Sequence, residues 1–270
     1  RDLTRNNPYA EKALNVVVNN VVGTGIVPSA TAGRANRATA IMAAWAAWAE
    51  TPECDFDGLH DIYGLQALAL PCVAESGEVL IRRRWRKSKE GLTIPLQLQV
   101  MEPDFIDSTR DSTQPDSAGA KIIHGIKFDA DGKRVGYMIF NRHPGDNTPG
   151  QTLESKLVPA DEIIHLFRVD RVGQVRGVPW PAPVMIRMRD FDEYEDAQLM
   201  RQKLAACFAA FVTDTDAGMT GTDGKQKTMA ETLEPGTIEL LAPGQSVEFA
   251  SPPGVESYGE YSTGVLRGIA

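Results

Sequence analysis

Several protein classes are excluded by what the sequence has little of. Cysteine is scarce: Cys54, Cys72 and Cys207 are odd in number, far apart and outside any Cys-x-x-Cys spacing. This is no disulfide framework, and it suits a reducing compartment. Long apolar runs are missing as well. Asn15, Asn19 and Asn20 interrupt the Val-rich segment near the start, nothing approaches the roughly 20 apolar residues of a membrane span, and no signal-peptide pattern is visible. Basic residues are the minority charge, 28 Lys and Arg against 36 Asp and Glu, for a net charge of -8 and a pI near 5.1. A protein that wraps nucleic acid tightly usually shows the opposite balance, although looser contact stays open.

Catalytic signatures are missing too. There is no nucleophile elbow, no phosphate-binding loop and no cluster with metal-ligand spacing. Gly23-Thr24-Gly25 follows a helical pattern and lacks the Lys-Ser/Thr of a phosphate loop, so it reads as a helix C-cap. His60, His124, His143 and His165 are scattered without an i, i+4 pair and read as structural or surface histidines rather than zinc ligands. Cys54 with His60, or Cys72, would be the thiol of a cysteine hydrolase if one were present.

What remains is a globular composition, 42% hydrophobic and 24% charged over 270 residues, able to bury a core in one large or two smaller domains. A chain that starts at Arg1 and stops at Ala270, in what reads as the opening of a helix, is expected to be a piece of a longer protein. Asn7-Pro8 marks a helix start, and Tyr9, Ala13, Leu14, Val17 and Val21 then recur at helical spacing up to Gly23. A second helix is expected from Arg37 to Ala49 with Ile41, Trp45 and Trp48 on one face, and a third from about Leu59 to Ala74, kinked or ended early by Pro71. The helical spacing of these Trp residues, and of Met185, Met188, Phe208 and Phe211 further on, points to core or subunit packing rather than a ligand box.

The pattern then shifts to strands at Glu78 to Trp85, Leu96 to Met101, Ile122 to Phe128, Arg134 to Phe140 and Glu162 to Val169, with a hairpin at Asp131-Gly132. Ser108 to Ala120 and Asn141 to Ser155 read as exposed loops. From Pro183 to about Val212 runs the longest helical pattern, roughly 40 Å at 1.5 Å per residue. It is followed by a polar loop at Thr213 to Ala230, two short strands within Gly236 to Phe249, and helix again from Tyr258. The fold class is α+β. The one basic run, Arg82-Arg83-Arg84-Trp85-Arg86-Lys87, alternates in a strand so that Arg82, Arg84 and Arg86 share one face. A solvated or subunit-facing sheet face is one reading, and a nucleic-acid-binding strand the other.

Several segments in order resemble the lambda-type portal proteins of tailed phages. These are Arg5-Asn6-Asn7-Pro8-Tyr9-Ala10 running through Asn19-Asn20-Val21-Val22-Gly23-Thr24-Gly25-Ile26, then Gly77-Glu78-Val79-Leu80, Glu102-Pro103-Asp104-Phe105-Ile106 and Gly125-Ile126-Lys127-Phe128-Asp129. The most specific block is Val158-Pro159-Ala160-Asp161-Glu162-Ile163-Ile164-His165-Leu166-Phe167, followed by Gln174-Val175-Arg176-Gly177-Val178-Pro179-Trp180. Pro235-Gly236-Thr237 and Leu241-Ala242-Pro243-Gly244-Gln245 complete the set.

The resemblance implies a phage portal-like fold, with a helical and mixed-sheet wing domain at 1–181, a first stem helix at 182–212, a small β-containing clip at 213–256 and the start of a second stem helix at 257–270. It implies a ring of identical subunits, usually twelve, at one capsid vertex, with no catalysis, cofactor, metal or membrane. Its partners would be the double-stranded DNA passing through, the terminase large subunit, head-completion or tail connector proteins, and capsid and scaffold proteins. The protein would belong to the virion, and to the host cytoplasm during assembly. Arg187, Arg201 and Lys203 are the candidates for the DNA channel. Asp190, Asp192, Glu193, Glu195 and Asp196 would pair laterally between neighbouring subunits, unless pairs within one helix such as Glu193 with Arg189 account for them. Thr220, Asp223, Lys225 and Lys227 would dock partners at the clip loop. Net acidity fits a conduit through which DNA slides, since each added Lys or Arg strengthens phosphate binding.

Overall fold

Asn7 starts the principal N-terminal helix by accepting hydrogen bonds from the Tyr9 and Ala10 amides, with Pro8 in the first turn. The computed structural model describes residues 1–87, 91–112, 114–146, 152–206, 210–214, 245–249 and 258–270. The chain divides into two compact units, Arg1–Met185 and Ile186–Ala270.

The first unit opens with helices α1 (Asp2–Asn6), α2 (Pro8–Val21), α3 (Ala35–Ala49) and α4 (Ile62–Ser76). Strands β1 (Glu78–Trp85), β2 (Leu96–Met101), β3 (Lys121–Ile123), β4 (Ile126–Phe128), β5 (Arg134–Phe140), β6 (Ser155–Pro159) and β7 (Ile163–Phe167) follow. They form two antiparallel sheets, one ordered β2-β1-β7 and the other β3-β4-β5-β6. Alternation along β1 serves both faces of its sheet. Leu80, with Met101 and Ile163, packs against Ile126, Phe128, Tyr137, Ile139 and Val158 of the second sheet. Leu96, Leu98 and Val100 of β2 pack instead against the helical cluster of Trp48, Ala49, Cys54, Ile62 and Leu65, and Trp48 Nε1 donates to the Leu96 carbonyl at 2.7 Å. Trp45 meets Trp48 edge to face at 5.5 Å, as packing rather than a ligand box, whereas Ile41 is half exposed.

Three expectations are corrected here. Helix α4 starts at Ile62, capped by Asp61, and runs through Pro71 to Ser76, where Gly77 ends it in the left-handed region at φ 88°. Burial of Leu65, Ala69 and Ala74 outweighs the ~3 kcal/mol that an interior proline costs. The expected single strand from Ile122 to Phe128 is a hairpin, because His124 (φ 48°) and Gly125 (φ 78°) form the two-residue turn between β3 and β4. Strand β6 begins at Ser155, at the end of an expected loop, and β7 is shorter than Glu162 to Val169. The Asp131-Gly132 turn stands as expected, with the Asp129 carboxylate accepting from the Asp131 and Lys133 amides.

The second unit comprises nearly all of α5 (Met185–Ala206), with β8 (Ala210–Asp214), β9 (Gln245–Phe249) and α6 (Tyr258–Ile269). The long helix is therefore about 33 Å, shorter than expected. Phe211 and Val212, read as its end, and Thr213, read as the start of a loop, lie in β8 and pair with β9, as aromatic and β-branched residues favour. Of the two strands expected within Gly236 to Phe249, Gln245–Phe249 is seen and the earlier one lies outside the described residues. Within α5, Met188 and Phe191 are buried while Met185 and Leu199 are half exposed.

Candidate functional site

In the first unit, Glu78, the first residue of β1, is buried with its side chain only 3% exposed. Its carboxylate accepts from His165 Nε2 at 2.9 Å, Arg176 Nε at 2.6 Å and the Gly177 amide at 2.7 Å. Burial alone would push this carboxyl up. The hydrogen bonds from His165, Arg176 and Gly177 overcome it and hold the group down to about 2. Arg176 reaches further, donating to the carbonyls of His124 at 3.2 Å and Pro103 at 3.4 Å. One guanidinium thus ties together the blocks around Gly77-Glu78, Glu102 to Ile106, Gly125 to Asp129 and Gln174 to Trp180.

His165, from β7, closes the other side. Its Nδ1 faces Arg134 Nη1 at 3.2 Å, and an arginine can only donate, so Nδ1 must accept and the proton sits on Nε2 toward Glu78. Burial, with Arg134 and Arg176 nearby, keeps the imidazole neutral and its pKa below the ordinary value despite Glu78. Arg134 also donates to the Val175 carbonyl at 3.0 Å and lies 5.1 Å from the Phe167 ring centre. Close backbone approach completes the hub: a Cβ on Gly177 would lie 2.6 Å from the Gly77 carbonyl carbon, and one on Gly77 2.5 Å from that of Val178. Acid, base and cations are mutually satisfied here, so the arrangement clamps strands and loops and offers no activated nucleophile.

The two described thiols, Cys54 and Cys72, are held protonated. Cys54 is fully buried, and burial together with Asp55 and Asp61 pushes its thiol up to about 11. Burial with Glu102 pushes Cys72 up to about 12, in spite of Arg1. Asp55, beside His60, accepts from the Leu59 and His60 amides and so organises a loop. Glu102, Asp104 and His143 converge, but Glu102 and Asp104 hold the Arg1 guanidinium and His143 Nε2 lies 3.2 Å from Glu102.

In the second unit, Arg187 is exposed and donates to the Gly268 carbonyl of α6 at 3.4 Å. Arg201 is half-buried and Lys203 exposed. Of the acidic cluster, Asp190, Glu193 and Asp196 are exposed and fall at i, i+3 spacing on one face, with Asp192 and Glu195 half-buried. Glu193 pairs with Arg189 within the helix at 3.1 Å, and Glu195 accepts from the Tyr258 hydroxyl at 2.6 Å. Tyr194 stacks near Tyr258 and Tyr261, joining α5 to α6. Thr220, Asp223, Lys225 and Lys227 lie outside the described residues, as does Cys207. No helix among the described residues is long and apolar enough to cross a membrane.

The ordered sequence blocks meet in this hub, which is carried on mixed helices and antiparallel sheets. Residues 1–270 match the phage portal proteins of the lambda family, and the chain belongs to that family. It is 26% identical over 258 residues to the "Probable portal protein" of Halomonas phage phiHAP-1, covering 89% of this chain and 48% of that protein. The chain thus spans about half the length of this curated relative. The fold is similar to one in the virion of a native gene transfer agent particle, at 13% identity and a TM-score of 0.55. It is similar as well to chains in two necks, that of the native particle computed with C12 symmetry (14%, TM-score 0.55) and that of the empty particle computed with C6 symmetry (14%, TM-score 0.56). Each of these likenesses covers 99% of this chain and 66% of the other.

Proposed function

We propose that this chain is the wing (1–181), first stem helix (182–212), clip (213–256) and start of the second stem helix (257–270) of a portal subunit. Closed rings of such subunits, twelve in number, would sit at one capsid vertex, conduct double-stranded DNA during packaging and ejection, and dock the terminase large subunit and then the head-tail connector. Capsid and scaffold proteins would meet the ring during assembly in the host cytoplasm. The observation that carries the reading is the family match across residues 1–270, and the C12 and C6 symmetry of the similar neck structures supports it.

Within the ring, Arg187, Arg201 and Lys203 would face the channel. Asp190, Asp192, Glu193, Glu195 and Asp196 would lie at subunit boundaries, with Asp190 and Asp196 on the exposed face of α5. Thr220, Asp223, Lys225 and Lys227 would dock partners. Against a nucleic-acid-binding strand stands the Arg82–Glu162 pair at 2.8 Å, which neutralises the first arginine of the run. Light scattering on a sizing column, over a range of salt and protein concentrations, tests the proposal. A mass near twelve chains is expected, and a stable dimer whose DNA affinity falls steeply with salt favours the binding-strand reading instead.

A further inference from the structure

Between the two sheets of the first unit opens a cleft of about 240 Å³ with an uneven charge. Arg82 and Arg84 of β1 line one wall and Lys156 of β6 lines the other, while no carboxylate belongs to the lining. Arg82 is held by Glu162, but neither of the other two cations forms an ion pair with a carboxylate among the described residues. The Arg84 Nε donates to Gln99 at 2.9 Å and its guanidinium lies 4.9 Å from the Phe56 ring centre, leaving its terminal nitrogens without an acceptor among the described residues. Lys156 is exposed and meets no carboxylate among them either. In a chain of net charge -8, two cations with no ion-pair partner thus line one small cleft. The floor is apolar, from Met101, Phe105 and Ile139.

We propose that this cleft binds an acidic peptide segment of a partner protein, one carboxylate forked by Arg84 and paired with Lys156, and an adjoining apolar side chain seated on Phe105 and Ile139. The arginine fork matches a carboxylate in two parallel hydrogen bonds. A nucleic-acid backbone would use the cations and leave the apolar floor unanswered. The volume, below the roughly 300–1,000 Å³ of sites for drug-sized ligands, suits a side chain or two.

The test uses the full chain and the capped tetrapeptide Leu-Asp-Glu-Phe carrying a fluorophore, titrated by fluorescence anisotropy, a readout that every variant shares. Its uncharged counterpart Leu-Asn-Gln-Phe and a short DNA duplex serve as separate arms. Saturable binding of the acidic peptide alone is expected, weakened about tenfold or more in Arg84→Gln, as loss of a hydrogen bond to a charged group predicts, and partly restored in Arg84→Lys. Lys156→Gln, on an exposed position of an edge strand, gives a smaller weakening and stands as the second variant should Arg84→Gln fold poorly. Equal binding of the uncharged peptide, no saturation by the acidic one, or a duplex that displaces it overturns the proposal.

Discussion

Replacing Glu78 by Gln keeps the shape of the hub and removes its charge. With the carboxyl held at about 2 against an ordinary 4.5, its ionised form contributes about 3 kcal/mol to folding, within the range for breaking a buried ion pair by deleting one partner. Arg176 and the neutral His165 remain, so the variant leaves a half-buried guanidinium without its carboxylate. Because the folded pKa is depressed, the contribution is complete above the unfolded value and is lost as pH falls from about 4.5 through about 2. Urea unfolding followed by Trp fluorescence reads this directly. Glu78→Gln should be about 3 kcal/mol less stable than the parent at pH 7, with the gap closing toward zero by pH 2. Asp107, also depressed, acts alike in both proteins and cancels in the difference. A gap that stays constant with pH, or one below about 1 kcal/mol at pH 7, refutes the assignment of the charge to the hub.

Three further outcomes follow from the same geometry. His165 is buried neutral with a lowered pKa, so stability declines as pH drops below 6.5 and its imidazole midpoint, followed by NMR, should lie below 6.5; a midpoint above 6.5 contradicts a ring kept neutral by burial and its arginine neighbours. Gly177→Ala forces a Cβ onto the Gly77 backbone and should cost about 2 kcal/mol or more by denaturant unfolding. Gly33→Ala, with open space around it, should stay within about 0.5 kcal/mol, and equal effects at the two sites would undo the close-approach argument. A thiol reagent at neutral pH should label buried Cys54 only as fast as the fold opens and half-buried Cys72 slowly because its thiol stays protonated, and a rapid burst at either would revive a catalytic thiol.

Local signals in the sequence were strong where one period dominated. The spans Glu78 to Trp85, Leu96 to Met101 and Arg134 to Phe140 match their strands, because alternation and β-branching agree there. The helix continues past Pro71, against an early end there, because helix burial is a tertiary property invisible to a local breaker rule. His124-Gly125 hid a hairpin because a histidine seldom takes positive φ, although the glycine beside it was a usable sign. The hub itself was present only as an ordered set of short blocks. Glu78, Arg134, His165 and Arg176 lie up to 98 residues apart, and no spacing rule links a strand's first residue to a loop that far away. His165 therefore read as one of four scattered histidines, when it is the piece that joins β1 to β7 at Glu78.

The central claim is that this chain belongs to a ring that conducts DNA, and single-particle imaging of the assembled protein tests it most directly. The account predicts closed rings with an axial channel wide enough for a DNA duplex and α5 beside that channel. A ring without a central opening, or one with α5 on its outer rim, would contradict it.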